Sequence, residues 1–157
     1  MSKKEKFVIR VVSVLLLAVY LSVLLYFLFF SERYGRGDIS AHGNRFNLIP
    51  FAEIRRFWQN RESLGMSAVT VNILGNVLAF IPLGFLMPAI FARFRKGPGA
   101  VALGFFLSLL VEGMQLLTGV GSFDVDDLIL NTLGTAAGYL MFRLCLSIRR
   151  RQYGKKI

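Results

Sequence analysis

EGMQLLTGVGSFDVDDLILNTLGTAAG, residues Glu112 to Gly138, is the stretch whose reading decides the fold. It sets a carboxylate and an amide at the end of one apolar run and turns through three aspartates. It then enters a second apolar run that carries another amide and two glycines. If the flanking runs cross a bilayer, hydrocarbon penalises each of those polar groups, and each needs a partner or a task.

The rest of the chain says that they do cross one. Of 157 residues, 55% are hydrophobic and 15 are phenylalanine, more apolar surface than a soluble domain of this size can hide. A formal charge of +10 raises the question of nucleic acid. The basic residues, however, sit at the ends of apolar runs, where membrane topology puts them, and no nucleic-acid partner is expected. The lone Cys145 excludes an internal disulfide and offers no metal cluster. The reading is an all-α integral membrane protein with four transmembrane helices over 8–30, 69–91, 100–117 and 128–148, in a single membrane domain, 1–157.

The first run, Val11 to Phe30, is long enough at about 1.5 Å per residue to cross a hydrocarbon core of roughly 30 Å. Its length, and the SERYGRGD that follows in place of a small-residue cleavage site, favour a retained helix over a signal peptide. Residues 31–66 are polar and begin as a glycine-containing loop with Gly35, Gly37 and Gly43. Phe51, Ile54, Phe57 and Trp58 then recur at helical spacing between arginines, which fits a short amphipathic helix lying in the membrane interface. An ordinary loop packing an aromatic cluster fits equally well. The second run holds Asn72, Asn76, Pro82 and Pro88, with a kink expected near Pro82.

Charge sets the orientation. With four spans, one side collects thirteen of nineteen basic residues and one acid, and the other six basic residues and seven acids. Both termini are therefore expected to be cytoplasmic. That places Asn72, Asn76, Glu112, Gln115, Asp127 and Asn131 at one depth, in the outer half of three helices. Each set lies on one stripe: Asn72, Asn76 and Ala79; Gly104, Ser108, Glu112 and Gln115; Asp127, Asn131, Gly134 and Gly138. Small residues at the inner end let helices approach, and polar ones at the outer end can meet. The first helix has no such stripe and is expected to pack at the periphery.

Each polar residue has a structural reading beside a functional one. The amides Asn72, Asn76, Gln115 and Asn131 can be interhelical glue. Glu112 differs, because a buried carboxylate must pair, protonate or line a wet cavity. Neither adjacent run offers it a cation at that depth, so Arg45 of the loop is the candidate partner. Asp124, Asp126 and Asp127 can cap a helix, which accounts for one of them comfortably, or together with Glu112 present oxygen ligands to a cation. Their spacing matches no closed calcium loop, and no metal site or cofactor is assigned. His42 stands alone in a glycine-flanked loop and reads as solvated.

Four segments together carry a resemblance: NLIPF at 47–51, NILGNVLAFIPLGFLMP at 72–88, EGMQ at 112–115 and SFDVDDLILNTLGTAAGY at 122–139. In this order they resemble the VanZ-like family, over roughly 44–140. The resemblance implies a polytopic bacterial membrane protein with a part in glycopeptide tolerance of the teicoplanin type. The family's characteristic polar positions fall here on Asn47, Asn72, Asn76, Glu112, Gln115, Asp124, Asp126, Asp127 and Asn131. Many members carry an arginine just before the Ser-Phe-Asp segment, where this chain has Gly121, so the acidic turn must be neutralised otherwise or bind something cationic.

The expectation is a polar pocket opening outward, with Glu112 and Asp127 as central carboxylates, an amide lining, and 46–58 as a lid. Its partner would be a membrane lipid, a lipid-linked cell-wall intermediate or a lipoglycopeptide. The rival is an intramembrane enzyme with Glu112 as general base and the aspartates holding a metal or positioning a headgroup. Transport would need a dimer, and the oligomeric state is left open by the sequence.

Overall fold

The computed structural model describes residues 3–30, 46–96, 98–119 and 121–154; the glycine-containing loop, His42 and Arg45 lie outside them. In chain order the elements are α1 (Lys3–Phe30), β1 (Phe46–Asn47), α2 (Ala52–Gln59), α3 (Arg61–Leu64), α4 (Met66–Ile90), a 3₁₀ turn (Ala92–Arg95), α5 (Gly99–Thr118), β2 (Phe123–Asp124) and α6 (Val125–Tyr153). Four helices are long and apolar enough to cross a membrane, over Phe7–Tyr26, Val69–Ile90, Gly99–Thr118 and Val125–Gln152. The architecture is an all-α integral membrane bundle.

Helices α4 and α6 form its axis. Side by side, Val77 meets Gly134, Ile81 meets Gly138 and the ring of Phe85 meets the edge of Phe142, so the two helices run parallel. A Cβ placed on Gly134 would fall 2.1 Å from the Val77 carbonyl oxygen, and one on Gly138 would fall 2.0 Å from that of Ile81. Only glycine permits such an approach, and the gain is dispersion plus Cα–H···O contact, the main attractions left between helices in lipid. Gly84 repeats the arrangement from the α4 side, against the Thr135 carbonyl.

Helix α5 runs antiparallel to α6, with Glu112 by Asp124, Ser108 by Asn131 and Gly104 by Thr135. Helix α1 packs on this core through Leu24 against Phe80 and Leu83, with Leu17 and Tyr20 partly buried beside them. Most of its remaining length is exposed, as its lack of a small or polar stripe leads one to expect.

Helix α4 runs through both Pro82 and Pro88. Its last carbonyls are taken by Arg95, whose Nε donates to Pro88 O at 2.9 Å and whose Nη2 donates to Ala89 O at 3.3 Å. Closing a helix C-terminus with a guanidinium satisfies orphan acceptors and suits the negative end of the dipole. Tyr139 of α6 donates to the Arg95 carbonyl at 3.3 Å, which ties the 3₁₀ turn back to the axis.

At the opposite end the chain between α1 and α4 lies against the turn before α6. Strands β1 and β2 pair in parallel, with Phe46 opposite Phe123 and Asn47 opposite Asp124. The amphipathic helix read from Phe51 to Trp58 exists as α2, with Phe57 buried and Trp58 exposed.

Candidate functional site

Inside the bundle a row of polar side chains is sealed from solvent: Ser108, Glu112 and Gln115 from α5, and Asn131 and Thr135 from α6, none more than 2% exposed. Their positions follow from helical spacing. Steps of four and three keep the α5 residues on one face, and Asn131 and Thr135 lie one turn apart on the facing helix. Asn131 Nδ2 donates to Ser108 Oγ at 2.9 Å, and Thr135 Oγ1 donates to the Asn131 carbonyl at 3.0 Å. The glycine at 104 makes room for Thr135, whose Oγ1 would lie 2.2 Å from a Cβ there. The side-chain oxygen Oδ1 of Asn131 is buried and finds no hydrogen-bond donor among the described residues.

The acidic turn closes the row at the end where α6 begins, and its carboxylates point in different directions. The backbone N–H of Asp124 donates to Glu112 Oε2 at 3.1 Å, so Glu112 lies directly beneath β2. Asp124 is the N-cap of α6, accepting from the Asp126 N–H at 2.8 Å, and the same oxygen accepts from Asn47 Nδ2 at 3.0 Å. Asp126 faces away from the row. One of its oxygens accepts from the Phe51 N–H, and the other accepts from Glu53 N at 2.8 Å and Ile54 N at 3.1 Å. Those donors are at the first turn of α2, so Asp126 supplies across the fold the cap that α2 lacks from its own sequence. Asp127 accepts from Asn76 Nδ2, joining α6 to α4.

Eight of the nine positions nominated from the sequence lie in the buried row or the acidic turn, or bond to one of them. Asn47, Glu112, Asp124 and Asp126 are linked by hydrogen bonds, Asn76 bonds Asp127, Asn131 bonds Ser108, and Gln115 is buried below the turn, touching the position of Gly121. Asn72 sits one turn from Asn76 on α4, half-buried, with no side-chain hydrogen bond to the described residues. The sequence reading does not single out Thr135, although its spacing of four from Asn131 and its place between Gly134 and Gly138 put it on the same stripe.

Electrostatics in the turn are set by desolvation and by hydrogen-bond donors. Burial pushes the Asp124 carboxyl above the usual carboxylate range, against the pull of the Asp126 N–H and Asn47. Burial also raises Glu53, partly offset by its ion pair with Arg56. With glycine at 121 the turn is held by N–H donors from the backbone and from asparagine. A side chain at 121 would begin in ordinary contact with Gln115, at 3.5 Å, so the glycine is not demanded by space. Among the described residues no three His, Cys, Asp or Glu side chains are placed to share a metal ion. The reason is visible in the divergent partners of the three aspartates. Arg45, the cation the sequence offers to Glu112, lies outside the described residues.

The fold and the sealed polar row define a multi-pass membrane protein with a polar interior closed by an acidic turn. Comparison with known proteins names its kind. A family model described as VanZ/LLP1 matches residues 17–146, and the chain belongs to that family. It is 31% identical over 130 residues to Protein VanZ of Enterococcus faecium, covering 82% of this chain and 72% of that protein. No solved structure matches.

Proposed function

We propose that this chain is a non-enzymatic bacterial cell-membrane protein of the glycopeptide-tolerance type. It binds the polar portion of a lipid, a lipid-linked cell-wall intermediate or a lipophilic glycopeptide in a polar site reached from the outer face. Its similarity to Protein VanZ supports the tolerance reading. The observation that carries the site is the sealed row on α5 and α6, in which Asn131 Oδ1 lacks a donor among the described residues. Hydrocarbon does not forgive polar side chains that only fill space, and a buried acceptor without a donor is the mark of a place that takes one. Glu112 and Asp127 are the central carboxylates, and Asn72, Asn76, Gln115 and Asn131 are the amide lining. Asn47, Asp124 and Asp126 hold the outer rim. Both termini are cytoplasmic, in keeping with thirteen basic residues on one side against six on the other.

Expression of the wild type or Glu112→Gln in a sensitive Gram-positive host, with membrane levels matched, tests this reading against teicoplanin and vancomycin. Tolerance to teicoplanin from the wild type, lost in Glu112→Gln, is the expected result. Equal tolerance from both proteins removes Glu112 from the site, and none from the wild type breaks the link to tolerance in that host. Activity that depends on a divalent cation would instead favour the enzymatic alternative.

A further inference from the structure

Residues 46–54 lie against the acidic turn that closes the polar row and are fastened to it at two levels. The first level is the β1–β2 ladder, reinforced by Asn47 donating to Asp124. Because Asp124 N also donates to Glu112, the strand that Asn47 holds is the one that covers the Glu112 carboxylate. The second level is Asp126, 1% exposed, whose two oxygens accept the N–H groups of Phe51, Glu53 and Ile54. These three bonds tie the start of α2 to the start of α6.

The segment so fastened is not packed as core. Phe46, Leu48, Ile49 and Phe51 are 58–70% exposed on the protein surface, so little packing against the bundle holds it down. Phe51 also adopts a left-handed backbone, φ 66°, which a bulky side chain resists unless neighbouring contacts impose it. Hydrogen bonds to one carboxylate are what impose it here. An element held by a few polar contacts and carrying local strain is one that opens before the bundle does.

We infer that residues 46–54 form a strap that holds β2 down over Glu112 when closed and frees it when open, with Asp126 as its latch. Asp126 is then a positioning residue: it decides how often the site is exposed and touches nothing that enters. This rests on the reading of Glu112 as the centre of the site, but its test needs no drug or ligand.

The test compares the full-length protein in lipid nanodiscs with Asp126→Asn and with a locked variant, Phe46→Cys/Phe123→Cys, which bridges facing residues of the ladder in a Cys145→Ser background. Hydrogen–deuterium exchange reads the strap peptide, and carbodiimide coupling of glycinamide followed by peptide mass analysis reads Glu112. In Asp126→Asn the amide offers one acceptor oxygen where the carboxylate offers two. Exchange at 51–54 and coupling at Glu112 should therefore rise about ten-fold or more, the scale of one charge-assisted hydrogen bond. Peptides of α4 and α6 should stay protected, and the oxidised lock should suppress coupling, with reduction restoring it. Unchanged strap exchange in Asp126→Asn overturns the latch. So does a rise shared by α4 and α6, which would make Asp126 a residue of the whole fold. Glu112 coupling that is equal in the locked and unlatched proteins overturns the gate. Loss of teicoplanin tolerance in Glu112→Gln with no effect of the lock on coupling would leave the proposed function standing and the strap refuted.

Discussion

Gly138→Ala is the substitution whose consequence can be worked furthest from the packing. The new methyl would sit 2.0 Å from the Ile81 carbonyl oxygen, 2.9 Å from its carbon and 3.0 Å from the Phe85 nitrogen. All three are backbone atoms of α4, so no side chain can swing aside. Ordinary contact begins near 3.4 Å, and the helices must part by about 1.4 Å at this point. A gap of only 0.5–1 Å already forfeits roughly a quarter to a half of each contact's well. The loss spreads along Val77–Gly134 and Phe85–Phe142, and overpacking of this kind costs about 1–3 kcal/mol. Because the clash is with backbone, the upper part of that range, about 2–3 kcal/mol, applies; alanine's better helix propensity returns about 1 kcal/mol, so the net loss should be about 1–2 kcal/mol. Gly113 is the internal control, because a Cβ there meets nothing within 4 Å. Gly113→Ala should be neutral or slightly stabilising. Unfolding in detergent micelles should show a Tm lowered by about 2–8 °C for Gly138→Ala and unchanged or raised for Gly113→Ala. Equal behaviour of the two variants would refute the close α4–α6 contact as the axis of the bundle.

Further outcomes follow from the polar network. The Asn76–Asp127 bond should show a coupling of about 1–2 kcal/mol in a double-mutant cycle of Asn76→Ala and Asp127→Ala read by detergent unfolding; additive losses would show that the bond is not energetically formed. Acidification should tighten the strap. Burial raises the carboxyls of Asp124 and Glu53, so the closed strap takes up protons before the released one does. Its stabilisation is therefore full below the ordinary carboxylate range and is lost as pH rises through the raised values. Strap exchange, corrected for the intrinsic rate, should thus be slower at mildly acid than at neutral pH, and the opposite order would contradict the burial of these two groups.

Much of this architecture was legible in the residues. Apolar runs of about twenty residues read as spans because hydrocarbon thickness is a fixed length. Gly134 and Gly138 read as a packing face because their spacing of four puts them on one side of a helix, and the structure sets both against carbonyls of α4. Ser108, Glu112 and Gln115 fall on one stripe of their helix and Asn131 on a stripe of the next for the same periodic reason, and they are buried together. In each case a property of the side chain recurs with the period of the structure, so order along the chain is enough.

The partners of the carboxylates were not legible, and they decide what the acidic turn is. From its residues, D-x-D-D could cap a helix or collect a cation. In the fold, Asp124 caps α6, Asp127 joins α4, and Asp126 binds backbone N–H groups 72–75 residues earlier in the chain. Backbone donors leave no signature in a sequence, since every residue but proline carries one. Which three N–H groups converge on Asp126, and that Glu112 lies beneath β2, depends on how distant segments meet. The sequence alone determined that polar groups from three helices would meet within the membrane bundle; only the tertiary structure decided which groups satisfy one another and that Asn131 Oδ1 finds no donor among the described residues.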